Sequence, residues 1–125
     1  MWCASLNIIY GDAKVLSEKS ALYNAFTDAY WSAQQAAVNP RCVFKPEKNT
    51  EVSVLVLLSR LTQCPFAVKA GGHAAFAGGS SIEGGITVAL ERMDEITVSS
   101  DKTIASVGPG TVSYTHMTLP TNREV

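Results

Sequence analysis

Apolar positions along this chain fall into short, differently spaced runs, and the spacing predicts the elements. Residues 1–16 hold no sustained period, and Tyr10-Gly11-Asp12 reads as a turn, so this stretch is expected to be an arm. From Ser20, a suitable N-cap, Leu22, Phe26, Ala29/Tyr30 and Ala33 recur at helical spacing, and Asn39-Pro40 closes the segment. Trp31 within it could be core or a lid, with core favoured. Arg41-Cys42-Val43-Phe44-Lys45 reads as a strand stopped by Pro46. Thr50 is the expected cap of a helix carried by Val52, Leu55, Val56, Leu58 and Leu61 to about Thr62. Val54 and Leu57 make that helix apolar on most sides, which predicts cover by further structure. Cys64-Pro65 ends it, and strand Phe66–Lys69 follows at once.

Strand, helix and strand in that order predict a βαβ unit with parallel pairing. After it comes a glycine loop, then another strand, Ile86-Thr87-Val88-Ala89-Leu90. Glu95–Ser99 and Thr103–Val107 flank Ser100-Asp101-Lys102 as a hairpin, and Gly108-Pro109-Gly110 makes a second glycine turn. The fold class is therefore α+β. From Ser113 onward neither period nor core remains, and His116 in that stretch has no assigned role.

The loop concentrates the chemistry. Six of the nine glycines, Gly71, Gly72, Gly78, Gly79, Gly84 and Gly85, lie between positions 71 and 85, with His73 among them. Glycines there permit positive φ and close approach, and successive peptide N–H groups form a concavity for an anion such as a phosphate. These glycines lie between two strands. A Rossmann fingerprint must open a helix, and no G-x-x-x-x-G-K-[ST] occurs, so neither the Rossmann site nor the P-loop applies. Without more context, the loop is better read as a flexible strand connector and His73 as a structural or solvated side chain.

Composition narrows the classes. With 125 residues, 46% hydrophobic and 17% charged, the chain suits one globular domain or a piece of a larger one. A net charge of −1 gives no footprint for nucleic acid or for an anionic membrane surface. No run of 18 apolar residues exists to span a bilayer. Met1-Trp2-Cys3 does not open a secretory signal, so either the chain is intracellular or its true beginning is missing. Cys3, Cys42 and Cys64 match no metal spacing. They are three buried thiols, or Cys3 and Cys64 form a bridge that leaves Cys42 free. Glu91, Asp94 and Glu95 read as a solvated turn.

Phe66-Ala67-Val68-Lys69-Ala70-Gly71-Gly72-His73, Phe76-Ala77-Gly78, Ile82-Glu83-Gly84-Gly85-Ile86 and Val107-Gly108-Pro109-Gly110 closely resemble the FAD-binding domain of the vanillyl-alcohol oxidase/para-cresol methylhydroxylase superfamily. Within it they are most similar to the fungal FAD-linked oxidases related to berberine bridge enzyme. Tyr30-Trp31-Ser32-Ala33-Gln34 and Cys42-Val43 share in the resemblance, which covers roughly residues 3–112.

The resemblance implies a PCMH-type FAD-binding domain, N-terminal part. Residues 1–37 would be an arm and helix, 38–112 the partial domain, and 113–125 a non-family, artefactual tail. It implies FAD as cofactor, with the diphosphate held by Lys69, Ala70, Gly71, Gly72, Ala74, Gly78 and Gly79, and with Gly108 and Gly110 approaching from the second turn. It implies that His73 bonds the flavin 8α-methyl group, which needs a neutral imidazole nitrogen as nucleophile, and that Cys3 pairs with Cys64. The parent protein would oxidise an alcohol-like small molecule and pass electrons to O₂. Members are often secreted.

Four departures from the family pattern stand out. Lys69 replaces the usual Arg, a point charge in place of a planar fork. Ala70 replaces Ser or Gly, and Ala74 replaces Ser or Thr. After Val112 the family continues with a tryptophan and a helix. The catalytic base and substrate domain are not in this sequence. Two other readings are a phosphate- or nucleotide-binding module without redox activity and a non-functional truncated fragment.

Overall fold

The structure, a computed structural model, describes residues 2–18 and 20–111; the expected tail from Ser113 and His116 lie outside them. Helices α1 (Trp2–Tyr10), α2 (Ala21–Asp28), α3 (Ala33–Ala36) and α4 (Asn49–Thr62) accompany strands β1 (Val15–Ser17), β2 (Cys42–Phe44), β3 (Phe66–Lys69), β4 (Ile86–Ala89), β5 (Ile96–Val98) and β6 (Ala105–Val107). One sheet has the order β1-β2-β4-β3, with β1 antiparallel to β2 and both β2 and β3 parallel to β4. A separate antiparallel hairpin joins β5 and β6.

The parallel pairing is as expected, but β4 lies between the two strands of the βαβ unit. All four of its residues are buried, as a central parallel strand requires. Alternation along β2 and β4 divides the core between the two faces of the sheet. Cys42, Phe44, Ile86 and Val88 pack with Leu6 of α1 and Leu55 of α4. Val43 and Ala89 pack on the other face with Tyr23 and Phe26 of α2 and with Tyr30. The glycine loop therefore leaves β3, passes the α2/α3 side and returns into β4.

Several expectations change. The N-terminal stretch is a helix and a strand, not an arm: Cys3, Leu6 and Tyr10 recur at i, i+3 and i+7 and pack inward. The helix that begins beyond Ser20 stops at Asp28 and resumes only for Ala33–Ala36. Ser20 caps it as expected, its Oγ accepting the Tyr23 N–H at 3.1 Å. Trp31 is not core, being 59% exposed.

Thr50 is not the cap of α4; Lys48 holds that position without a side-chain bond. Glu51 reaches back instead, accepting the Glu47 N–H at 2.7 Å and pairing with Lys14. Burial pushes its carboxyl up, but the Glu47 amide and Lys14 outweigh that and hold it below its ordinary value. Of the apolar positions on α4, Leu55 is buried, whereas Leu57 and Leu61 face solvent, so cover on most sides is not found among the described residues. The hairpin turn is as read: Asp101 Oδ1 accepts from Ser99 Oγ, Thr103 N and Thr103 Oγ1, and Lys102 adopts a φ of +61°.

The disulfide joins Cys3 to Cys42, not to Cys64. Helix α1 brings Cys3 over the first residue of β2, with a Cα–Cα separation of 6.1 Å that a disulfide can span. Cys64 lies beyond the far end of α4 as a buried free thiol, and burial pushes its pKa up. The bridge closes a loop of 39 residues, which the chain-entropy argument makes worth about 4 kcal/mol. Peptide mapping of the non-reduced protein is expected to recover a Cys3–Cys42 linked pair with Cys64 alkylated. Cys3→Ser and Cys42→Ser should each lower unfolding stability by roughly 2–4 kcal/mol, whereas Cys64→Ser should leave the linked pair in place.

Candidate cofactor site

The loop from Ala70 to Gly85 is shaped by what holds it from behind. Gln35, on α3, is completely buried. Its Nε2 donates to the carbonyls of Ala74 at 2.6 Å and Gly72 at 3.4 Å. Its Oε1 accepts from Ser80 N at 2.7 Å and Ser80 Oγ at 2.9 Å. Tyr30 Oη donates to Ser80 O and Ser32 Oγ donates to Ala75 O, both at 2.7 Å. Burial pushes the Tyr30 phenol up, which keeps it a neutral donor. The α2–α3 break is what delivers these groups, since Tyr30, Trp31 and Ser32 occupy the turn between the helices.

This tethering acts on carbonyls and leaves the amides. The carbonyls of Gly72, Ala74, Ala75 and Phe76 all accept bonds from within the chain. Among the described residues, the backbone N–H groups of residues 71–78 have no acceptor, and donation resumes at Gly79 and Ser80. Of these unpaired amides, those of His73, Ala75, Phe76 and Ala77 belong to exposed residues and share a peptide unit with an inward-held carbonyl, an arrangement that suits an anion. Glycine is favoured at 72 by its φ of +72°, and a β-carbon there would lie 2.7 Å from Lys69 Cε, so the end of the lysine side chain would have to move. Gly78 has a φ of +83°.

Lys69, the last residue of β3, sits behind Gly72. Its ammonium lies over the rings of Phe26 and Tyr30, at 5.3 Å and 5.4 Å from their centroids. Burial lowers its pKa; Glu91 opposes that and Lys45 adds to it. Among the described residues no carboxylate pairs with it, whereas Lys45 is paired with Glu91 at 3.3 Å. A bound phosphate would supply the missing counter-charge.

His73 is exposed at the centre of the loop and stacks on Trp31, with ring centroids 4.9 Å apart and planes 27° apart. Ala70, Gly71, Gly72, His73, Ala74, Gly78 and Gly79 thus share one loop, and Lys69 ends the strand that enters it. Gly108 and Gly110 lie in the other turn, and their amides are taken, donating to Glu95 O at 2.8 Å and Met93 O at 3.0 Å. β-Carbons at those two positions would run into the backbone of Met93 and Leu90. Close backbone packing therefore accounts for both glycines. Thr111 Oγ1, next to Gly110, is buried with no partner among the described residues.

The sequence reading missed Gln35. A glutamine in Ala-Gln-Gln-Ala-Ala carries no chemical flag, and only its burial in a polar bond set distinguishes it from Gln34. Among the described residues there is no cluster of three metal-ligating side chains, and no helix is long and apolar enough to cross a membrane.

Residues 40–115 match the FAD binding domain family. The chain belongs to that family. It is 40% identical to the FAD-dependent monooxygenase FUP4 of Fusarium proliferatum over 81 residues, which is 65% of this chain and 16% of that protein. It is 34% identical to the FAD-dependent monooxygenase macF of Penicillium terrestre over 109 residues, 86% of this chain and 21% of that protein. The chain therefore spans about a fifth of the length of the curated relatives it matches. BBE-like 1 of Physcomitrella patens shares the fold, with a TM-score of 0.71 at 18% identity over 86% of this chain and 23% of that one. FAD is the cofactor of this domain, and the free amides backed by Lys69 fit its diphosphate.

Gly72→Ala is expected to be more damaging than Gly84→Ala. Both positions have a φ of +72°, but a β-carbon at Gly84 meets open space. Thermal unfolding should show a cost of about 1–2 kcal/mol for Gly84→Ala from backbone strain alone, and a larger one for Gly72→Ala. Equal costs would mean that the packing behind the loop is not tight.

Proposed function

We propose that this chain is the cofactor-clamping part of a flavin-dependent oxidoreductase that oxidises an alcohol-like small molecule and passes the electrons to O₂. The observation that carries the reading is the loop itself: amides 71–78 without an acceptor among the described residues, the carbonyls of Gly72, Ala74, Ala75 and Phe76 tied back, and one exposed imidazole in their midst. FAD, when bound, supplies the redox chemistry, and the protein binds and orients it. Residues 38–112 form the cofactor-binding unit in this reading. Gly71, Gly72, His73, Ala74, Gly78 and Gly79 present main-chain donors to the diphosphate, with Ala70 leading in, and Lys69 balances its charge from behind. Gly108 and Gly110, their amides already engaged, shape the neighbouring turn against which the cofactor packs.

His73 is the residue that bonds the flavin. Its exposure and its seat on the Trp31 ring support this, because the imidazole is held by a flat apolar surface rather than by a carboxylate. Either ring nitrogen is then open to a partner. The names of the fungal relatives favour a second reading for the whole protein, in which oxygen is inserted into the substrate. Hydrogen peroxide formed in step with substrate oxidised would support the oxidase reading, and labelled oxygen from O₂ in the product the other.

The covalent link has a direct test. The full-length flavoprotein, denatured and precipitated, should give a yellow pellet, and His73→Ala should release the colour to the supernatant. A colourless wild-type pellet with yellow supernatant would overturn the covalent link while leaving FAD binding intact. A protein that takes up no flavin at all would overturn the functional reading.

A further inference from the structure

We propose that Gln35 is a positioning residue for the cofactor loop, and that the segment carrying Tyr30, Ser32 and Gln35 is a working part of the FAD site although it precedes residues 40–115, which match the FAD binding domain family. The proposal rests on the loop being the FAD diphosphate cradle. Among the described residues, Gln35 is the one side chain that bonds both arms of the loop. Its Nε2 holds the carbonyls of Gly72 and Ala74 on the outgoing arm. Its Oε1 holds the amide and hydroxyl of Ser80 on the returning arm. Tyr30 fixes the Ser80 carbonyl and Ser32 the Ala75 carbonyl.

The chemistry of the amide group explains the choice. A peptide unit whose carbonyl is held inward has its N–H directed the opposite way, because the two are antiparallel across a trans peptide. Donation to Gly72 O and Ala74 O therefore fixes the outward aim of the His73 and Ala75 amides, the peptide partners of those carbonyls. The bond from Ser32 does the same for Phe76. A glutamine supplies donor and acceptor at one buried point without a charge to desolvate. Glutamate there would face two carbonyls with acceptors only. Holding the amides in place before the anion arrives lowers the ordering cost of binding.

The test uses the full-length flavoprotein in a His73→Ala background, so that FAD exchanges and its Kd can be measured by flavin fluorescence. Gln35→Leu and Gln35→Glu are compared with that parent at a temperature where circular dichroism shows each apoprotein folded. Both should weaken FAD by about tenfold or more, the consequence of leaving buried groups without partners. Tyr30→Phe keeps the ring and loses the hydroxyl that donates to Ser80 O, and should weaken FAD by a few-fold with little change in melting temperature. It serves as the second measurement should a Gln35 variant fail to fold. A purely space-filling role predicts that Gln35→Leu binds FAD as the parent does, and that result, or unchanged affinity in Tyr30→Phe, overturns the proposal. Failure of the His73→Ala parent itself to bind FAD would instead overturn the cradle reading.

Discussion

A peptide group has two ends, and the central constraint in this structure is that one of them is held. Between β3 and β4 the chain runs through a loop whose carbonyls accept bonds from Gln35, Ser32 and the loop's own Gly79. With those ends occupied, the amides of residues 71–78 have no acceptor among the described residues. Such a run is costly to bury and useful to expose. The positive φ of Gly72, its crowding against Lys69 and the exposure of His73 all belong to this one arrangement.

The rest of the fold makes that arrangement possible. The buried central strand β4 receives the end of the loop, and β3, beside it, delivers the start. On one face, α1 and α4 form the larger apolar cluster, with the Cys3–Cys42 disulfide tying α1 to the sheet. On the other face, Tyr23, Phe26 and Tyr30 pack against Val43 and Ala89, which sets the break between α2 and α3 directly behind the loop. The same cluster puts two aromatic rings beneath Lys69, so its charge is kept close to the amides without a carboxylate to cancel it.

What could be read from residues alone was what local pattern encodes. Strands β2, β3 and β4, helix α4 and the hairpin announce themselves by apolar runs and turn residues, and the glycines with His73 mark the loop. The order of the sheet is not local: nothing in Phe66–Lys69 or Ile86–Ala89 says that β4 lies between β2 and β3. Helix α1 was hidden because, among its described side chains, Cys3, Leu6 and Tyr10 pack inward, while Ile8 and Ile9, both exposed, blur the period. The pairing of Cys3 depends on where α1 comes to rest, so the partner inferred by resemblance, Cys64, gave way to Cys42. Gln35 was invisible for a related reason, since its role lies in bonds to residues 37 to 45 positions away.

The free amides of the loop are what a bound diphosphate would meet. Hydrogen–deuterium exchange on the full-length protein, compared with and without FAD in a His73→Ala background, tests them most directly. Residues 71–78 are expected to exchange freely without the cofactor and to become strongly protected with it, while the already bonded amide of Ser80 changes little. Protection that appears elsewhere on FAD binding while residues 71–78 continue to exchange freely would contradict the account.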